Sequence, residues 1–119
     1  MFGEFIKERR MSLGITLRGF CRRIGIDASN WSKTERGLLL PPRDDETLRK
    51  IAQVLEIKEG SEAWIEMKDK AYIGAGRIPR DLLSDARIAQ SLPIFFRTAR
   101  AKRPTSEQLD QLIHILKRE

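Results

Sequence analysis

Between Thr16 and Gly37 the chain is punctuated so closely that only short helices fit. Thr16 is a good N-cap, Leu17, Phe20, Cys21 and Ile24 follow at helical spacing, and Gly25 supplies a stop. After one intervening residue Asp27 can cap again, and a helix from Ala28 to about Arg36 runs into Gly37. The spacing predicts two short helices joined by a tight glycine-containing turn.

The flanks read as helices too. Phe2, Phe5, Ile6 and Leu13 share a helical face that ends at Gly14. Leu38-Leu39-Leu40-Pro41-Pro42-Arg43 is a loop, because each proline pushes its predecessor out of helical geometry. Asp44 or Asp45 can then cap a fourth helix, with Leu48, Ile51, Ala52 and Leu55 as its buried stripe. Ser61 caps a fifth, carrying Ala63, Trp64, Met67 and Ala71, and Gly74-Ala75-Gly76 closes it. Further on, the expected pieces are Arg80 to Ser84, Ala86 to Ser91, and a segment from Pro93 to Arg100 with Pro93 as its first residue. Thr105-Ser106-Glu107-Gln108 has the capping-box pattern and opens a last helix with Leu109, Leu112, Ile113 and Leu116 on one face. No strand pattern and no internal repeat emerges, so the expected fold class is all-α.

Composition narrows the chemistry. Among 119 residues, 23 Lys and Arg stand against 17 Asp and Glu, a net +6 that favours a polyanionic partner such as nucleic acid. One Cys and one His, Cys21 and His114, give no internal disulfide, no multi-cysteine metal site and a thin inventory for nucleophilic catalysis. Expected are no catalytic residue, no metal, no cofactor and no enzyme activity. His114 in Leu112-Ile113-His114-Ile115-Leu116 reads as a surface or interface histidine. Gly74-Ala75-Gly76 lacks the Lys-Ser/Thr of a phosphate-binding loop. The N-terminal run alternates charged with apolar residues, and no stretch reaches the roughly 18 apolar residues that span a bilayer. A cytoplasmic protein without membrane contact is expected.

Residues 7 to 36 hold eight bases (Lys7, Arg9, Arg10, Arg18, Arg22, Arg23, Lys33, Arg36) against three acids (Glu8, Asp27, Glu35), a local +5. Two helices joined by a tight turn, in a basic setting, form the unit that places one helix in the DNA major groove. The run Gly14-Ile15-Thr16-Leu17-Arg18-Gly19-Phe20-Cys21, then Gly25-Ile26-Asp27, then Trp31-Ser32-Lys33-Thr34-Glu35-Arg36-Gly37, with Leu48, Ile51-Ala52 and Leu55 downstream, resembles the lambda-repressor and Cro type of helix-turn-helix regulator, the XRE family, over about residues 2 to 57. The resemblance implies a five-helix lambda-repressor-like DNA-binding domain followed by a helical C-terminal extension. It implies that Cys21 stands where close helix approach admits only a small side chain, and that Trp31 packs under the recognition helix. Arg10 and Glu35 match an internal ion pair that ties helices together. Ser29 and Lys33 fall at positions that reach base edges, and the residue types suit direct readout for Lys33 and Asn30, less selectively for Ser29 and Ser32. Thr16, Arg18 and Asn30 are candidates for phosphate contacts, with Arg36 and Arg43 clamping the flanking phosphate. Leu17 stands where the family often has Gln, and Ala28 where it often has a polar residue, so the expectation is either looser sequence specificity or specificity taken from DNA shape.

The domain division is expected at residue 60, with 61–119 a helical region for dimerisation or partner binding. Its apolar stripes, Trp64 with Met67, Ile94 with Phe95 and Phe96, and Leu109 to Leu116, need covering. Arg97 to Arg103 is a second basic cluster, read as facing solvent or an acidic partner. Ala75 to Leu83 resembles the stretch after the DNA-binding unit in small regulators paired with a neighbouring metallopeptidase or toxin. The expectation is a sequence-specific regulator of double-stranded DNA, a homodimeric repressor. The alternative is an antitoxin-like protein that binds a partner through its C-terminal half and autoregulates its promoter.

Overall fold

The computed structural model describes residues 1–118, and all regular structure among them is helical. Five helices fall in a compact unit ending at Pro79: α1 (Phe2–Ser12), α2 (Leu17–Ile24), α3 (Ala28–Glu35), α4 (Asp45–Val54) and α5 (Glu62–Gly74). A second unit from Arg80 onward holds α6 (Arg80–Leu83), α7 (Ala86–Lys102) and α8 (Ser106–Lys117).

Side-chain caps start α2, α3, α4, α5, α7 and α8. Of the two aspartates eligible before α4, Asp44 does the capping: the Thr47 hydroxyl and amide both donate to it, and they hold its carboxyl below the usual range. In the first unit α1 packs on α3 and α5, while α2 packs on α3 and α4. Ile6, Phe20, Leu48, Ile51, Leu55 and Met67 are fully buried between them. Each such side chain stabilises the fold by about 1.5–3 kcal/mol through its removal from water.

The compact unit extends past the expected division at residue 60. Trp64, Met67, Ala71 and Tyr72 of α5 are buried and complete the core, so the stripe at Trp64 and Met67 is covered within this unit. Four helices leave the outer side of α1 bare, and α5 closes it.

Two contacts fix α1. A Cβ on Gly3 would lie 2.7 Å from the Thr34 carbonyl oxygen and closer still to that of Glu35, so α1 crosses the end of α3 where only glycine fits. At the other end, Arg9 donates from Nε to the Leu55 carbonyl and from Nη2 to the Glu56 carbonyl, both at 3.1 Å. A cation thereby meets the C-terminal carbonyls of α4, and Glu56 sits there in the left-handed region at φ 55°.

In the second unit α7 is one helix through Pro93, where the sequence predicted a break and a fresh start. The apolar positions Ile88, Leu92, Phe95 and Phe96 stay in phase across the proline, and the missing N–H interrupts a single rung of the ladder. Thr105 and Gln108 form a capping box at the start of α8, each side chain accepting from the other's backbone N–H. No described residue of this unit is buried. No helix among the described residues is long and apolar enough to cross a membrane.

Candidate nucleic-acid interface

The geometry begins at Thr16, whose Oγ1 accepts from the Gly19 amide at 3.0 Å and starts α2. Gly25 ends α2 at φ 73°, and both its N–H and that of Ile26 donate back to the Cys21 carbonyl, at 2.9 and 3.0 Å. Asp27 then caps α3 by accepting from the Asn30 amide at 2.9 Å. Two residues, Gly25 and Ile26, thus separate one helix end from the next cap.

Beneath this turn lie Phe20, Cys21 and Trp31, all buried. The Trp31 ring packs edge-on to Phe2 with centroids 6.3 Å apart and lies 5.3 Å from Phe20, so it supports α3 from below. Burial pushes the Cys21 thiol above its ordinary value, and the nearby Glu35 charge acts in the same direction.

Arg10 and Glu35 meet in a bidentate pair, Nε to Oε2 at 3.1 Å and Nη2 to Oε1 at 2.9 Å, with both side chains buried. Two further bonds complete the network. Trp31 Nε1 donates to Glu35 Oε2 at 2.9 Å, and Arg10 Nη1 donates to the Ile15 carbonyl at 2.9 Å. The carboxylate therefore joins α1 to α3, and the guanidinium holds the strand of chain that leads into α2. Sequence reasoning paired Arg10 with Glu35 but passed over the indole, although Trp31 and Glu35 at i and i+4 share a helix face.

With Trp31, Thr34 and Glu35 turned inward, the outer face of α3 presents Ser29, Asn30 and Lys33, all exposed, and Ser32, half-buried. Ser29 and Lys33 are one turn apart on this face. Thr16 and Arg18 are exposed at the start of α2, and Arg36 is exposed just after α3. Arg36 Nε donates to the Ser32 carbonyl at 3.3 Å, which lays its side chain along the helix. Arg43 is exposed in the following loop, and Arg77 Nη1 donates to its carbonyl at 3.2 Å while its guanidinium stacks 4.8 Å from the Tyr72 ring centroid. Arg9, Gly3 and Arg77 belong to this framework without any sequence pattern to announce them, because each acts on backbone carbonyls distant in the chain.

The exposed bases beside α3 are left with little competition. Glu35 is consumed by Arg10, and Asp27 is engaged in capping, while Arg18, Arg22, Arg23, Lys33 and Arg36 remain exposed. A polyanion approaching this side meets cations and helix starts.

A family profile for a helix-turn-helix domain matches residues 1–64, more than half of the chain. The chain belongs to the helix-turn-helix domain family. None of the curated proteins and none of the solved structures matches it. The match runs from α1 into the first turn of α5, and α2, the Gly25 turn and α3 form the helix-turn-helix itself. That assignment supports a DNA-binding regulator, in line with the XRE-type pattern read from the motifs.

Proposed function

We propose that this helix-turn-helix protein is a sequence-specific regulator of double-stranded DNA that acts as a homodimeric repressor. The exposed polar face of α3, backed by the buried Arg10–Glu35–Trp31 network, carries the reading. A rigid helix with short polar side chains and one lysine can enter the major groove and meet base edges without reorganising its support. In this proposal Lys33, Ser29, Asn30 and Ser32 face the bases. Thr16, Arg18, Arg36 and Arg43 hold phosphates and fix the register, a division of labour between positioning and readout.

Duplex-binding titrations at several salt concentrations, followed by selection of bound fragments from random DNA, test the reading. Affinity should fall steeply with salt as released counterions enter the balance, and the selected fragments should share a two-fold-related motif. Absence of duplex binding at every salt concentration removes the proposal.

The second unit supports a further reading for that part of the chain. Its helices have no buried side chain, which favours a partner-binding role of the antitoxin type, with a toxin or metallopeptidase as the partner and DNA binding autoregulatory. Copurification of a second, different chain in stoichiometric amount would select it over the homodimer.

A further inference from the structure

On the outer side of α5, Ile65 and Ile73 stand 53% and 56% exposed, two turns apart, along a shallow, open groove lined by α5 alone. Its remaining walls are Glu62, Glu66, Asp69 and Lys70, so an apolar floor carries a largely acidic rim. Lys70 is already engaged, over the Phe5 ring at 5.1 Å and 3.9 Å from Glu66. A second groove, shared by α1 and α5, mixes Glu4, Glu8 and Glu66 with Arg9 and Lys70.

Helix α7 has the complementary make-up. Ile88, Leu92, Phe95, Phe96 and Ala99 recur at i, i+4, i+7, i+8 and i+11 and make one apolar stripe, while Arg100 and Lys102 fall on its two edges. From Ala86 to Thr105 the chain has five bases and no acid: Arg87, Arg97, Arg100, Lys102 and Arg103. Phe95 and Phe96 are 44% and 40% exposed.

We infer that the acid-rimmed Ile65–Ile73 groove of α5 is the docking site for helix α7 of a second copy of this chain. This rests on the homodimer reading above and names its interface. Apolar side chains meet apolar floor, and Arg100 and Lys102 meet Glu62 and Glu66. Because groove and helix both belong to every chain, a two-fold axis makes the exchange reciprocal, and the contact is formed twice per dimer. The sign of the charges sets the partner: a like-charged amphipathic helix would be repelled from this rim.

Charge reversal in the full chain tests it. Two variants are made, Glu62→Lys with Glu66→Lys, and Arg100→Glu with Lys102→Glu, each checked for helicity and melting. Light scattering and sedimentation should show each variant alone dimerising about ten-fold or more weakly than the parent, since like charges now face each other at both contacts. Mixed in equal amounts, the two should form a heterodimer, because the reversed rim then meets the reversed helix and the native rim the native helix; the four substitutions in one chain should likewise restore the homodimer. A parent that is dimeric while both variants remain equally dimeric overturns this interface and leaves the homodimer reading standing. Variants that weaken but fail to recover on mixing overturn the second copy as occupant. A parent that is monomeric at every concentration overturns the homodimer reading and the interface with it.

Discussion

Glu35 is the side chain on which most depends, because three N–H donors from two buried side chains, Arg10 and Trp31, converge on its carboxylate. Glu35→Ala would leave the Arg10 guanidinium buried without a counter-charge and the Trp31 indole N–H without an acceptor. The expected loss is about 3–5 kcal/mol, the range for breaking a buried pair from one side. Thermal melting measures it, and a variant that melts unchanged but loses DNA binding would place Glu35 at the DNA instead. Cys21 offers a second readout. Its thiol pKa is raised above 9.0 in the fold, foremost by burial, so in the unfolded chain it ionises first. Stability contributed by the neutral thiol is therefore full below the unfolded value and lost as pH rises through it toward the folded one. Urea unfolding at about pH 8 and about pH 10 should show a decline in the parent that shrinks in Cys21→Ala. On the exposed face the expectation concerns Lys33 and Arg18. Lys33→Ala should relax preference at one base pair by about 1–3 kcal/mol, while Arg18→Ala should weaken all sequences alike. Fragment selection with both variants separates them, and identical effects would refute the assigned roles.

Helices meet here through backbone as much as through side chains. Gly3→Ala forces a methyl group into the Thr34 and Glu35 carbonyls, which belong to α3 and cannot retreat without moving that helix. A loss of about 1–3 kcal/mol is expected, the usual cost of overpacking a tight contact. Because the contact pins α3, DNA affinity should fall with stability. Gly14→Ala is the informative contrast, since a methyl group there meets nothing within 4 Å and the cost comes only from φ 70°. The opposite sign is expected at Glu56, whose left-handed backbone ends α4. Glu56→Gly should stabilise the fold by about 1 kcal/mol of relieved strain and so raise the melting temperature, with the Arg9 bonds to the Leu55 and Glu56 carbonyls preserved. A destabilised Glu56→Gly chain would mean that the glutamate side chain contributes more than its backbone costs.

Taken whole, the chain divides after Pro79, and truncation tests the division. Residues 1–79 retain Trp64, Met67, Ala71 and Tyr72 and should fold cooperatively, whereas residues 1–60 lose these buried side chains and expose one side of α1. Denaturant melts of the two fragments should show a sharp transition for the longer alone. Under the proposed α7 interface the 1–79 fragment, which lacks that helix, should be monomeric and bind a paired site little better than a single half-site, while the full chain should gain from linking two copies of α3. A 1–79 fragment that still dimerises would put the assembly surface within the first unit.

Much of this was written in local chemistry. Thr16, Gly25, Asp27, Gly37, Asp44, Ser61 and Thr105 act within four residues of themselves, so caps, stops and the tight turn before α3 are legible wherever the residue types recur at those offsets. The amphipathic stripes likewise revealed which faces of α2, α4 and α8 are apolar. Local spacing could not tell whether a stripe is covered by its own chain. Trp64 and Leu112 look alike along the sequence, yet the first is 8% exposed and the second 40%. Nor could it show that Pro93 lies inside a helix, that Gly3 is a crossing point, or that Arg9 reaches the carbonyls of Leu55 and Glu56, 46 and 47 residues away. Those facts depend on which surfaces meet once the helices pack. Packing distance has no counterpart in sequence distance, so only the tertiary structure could decide them.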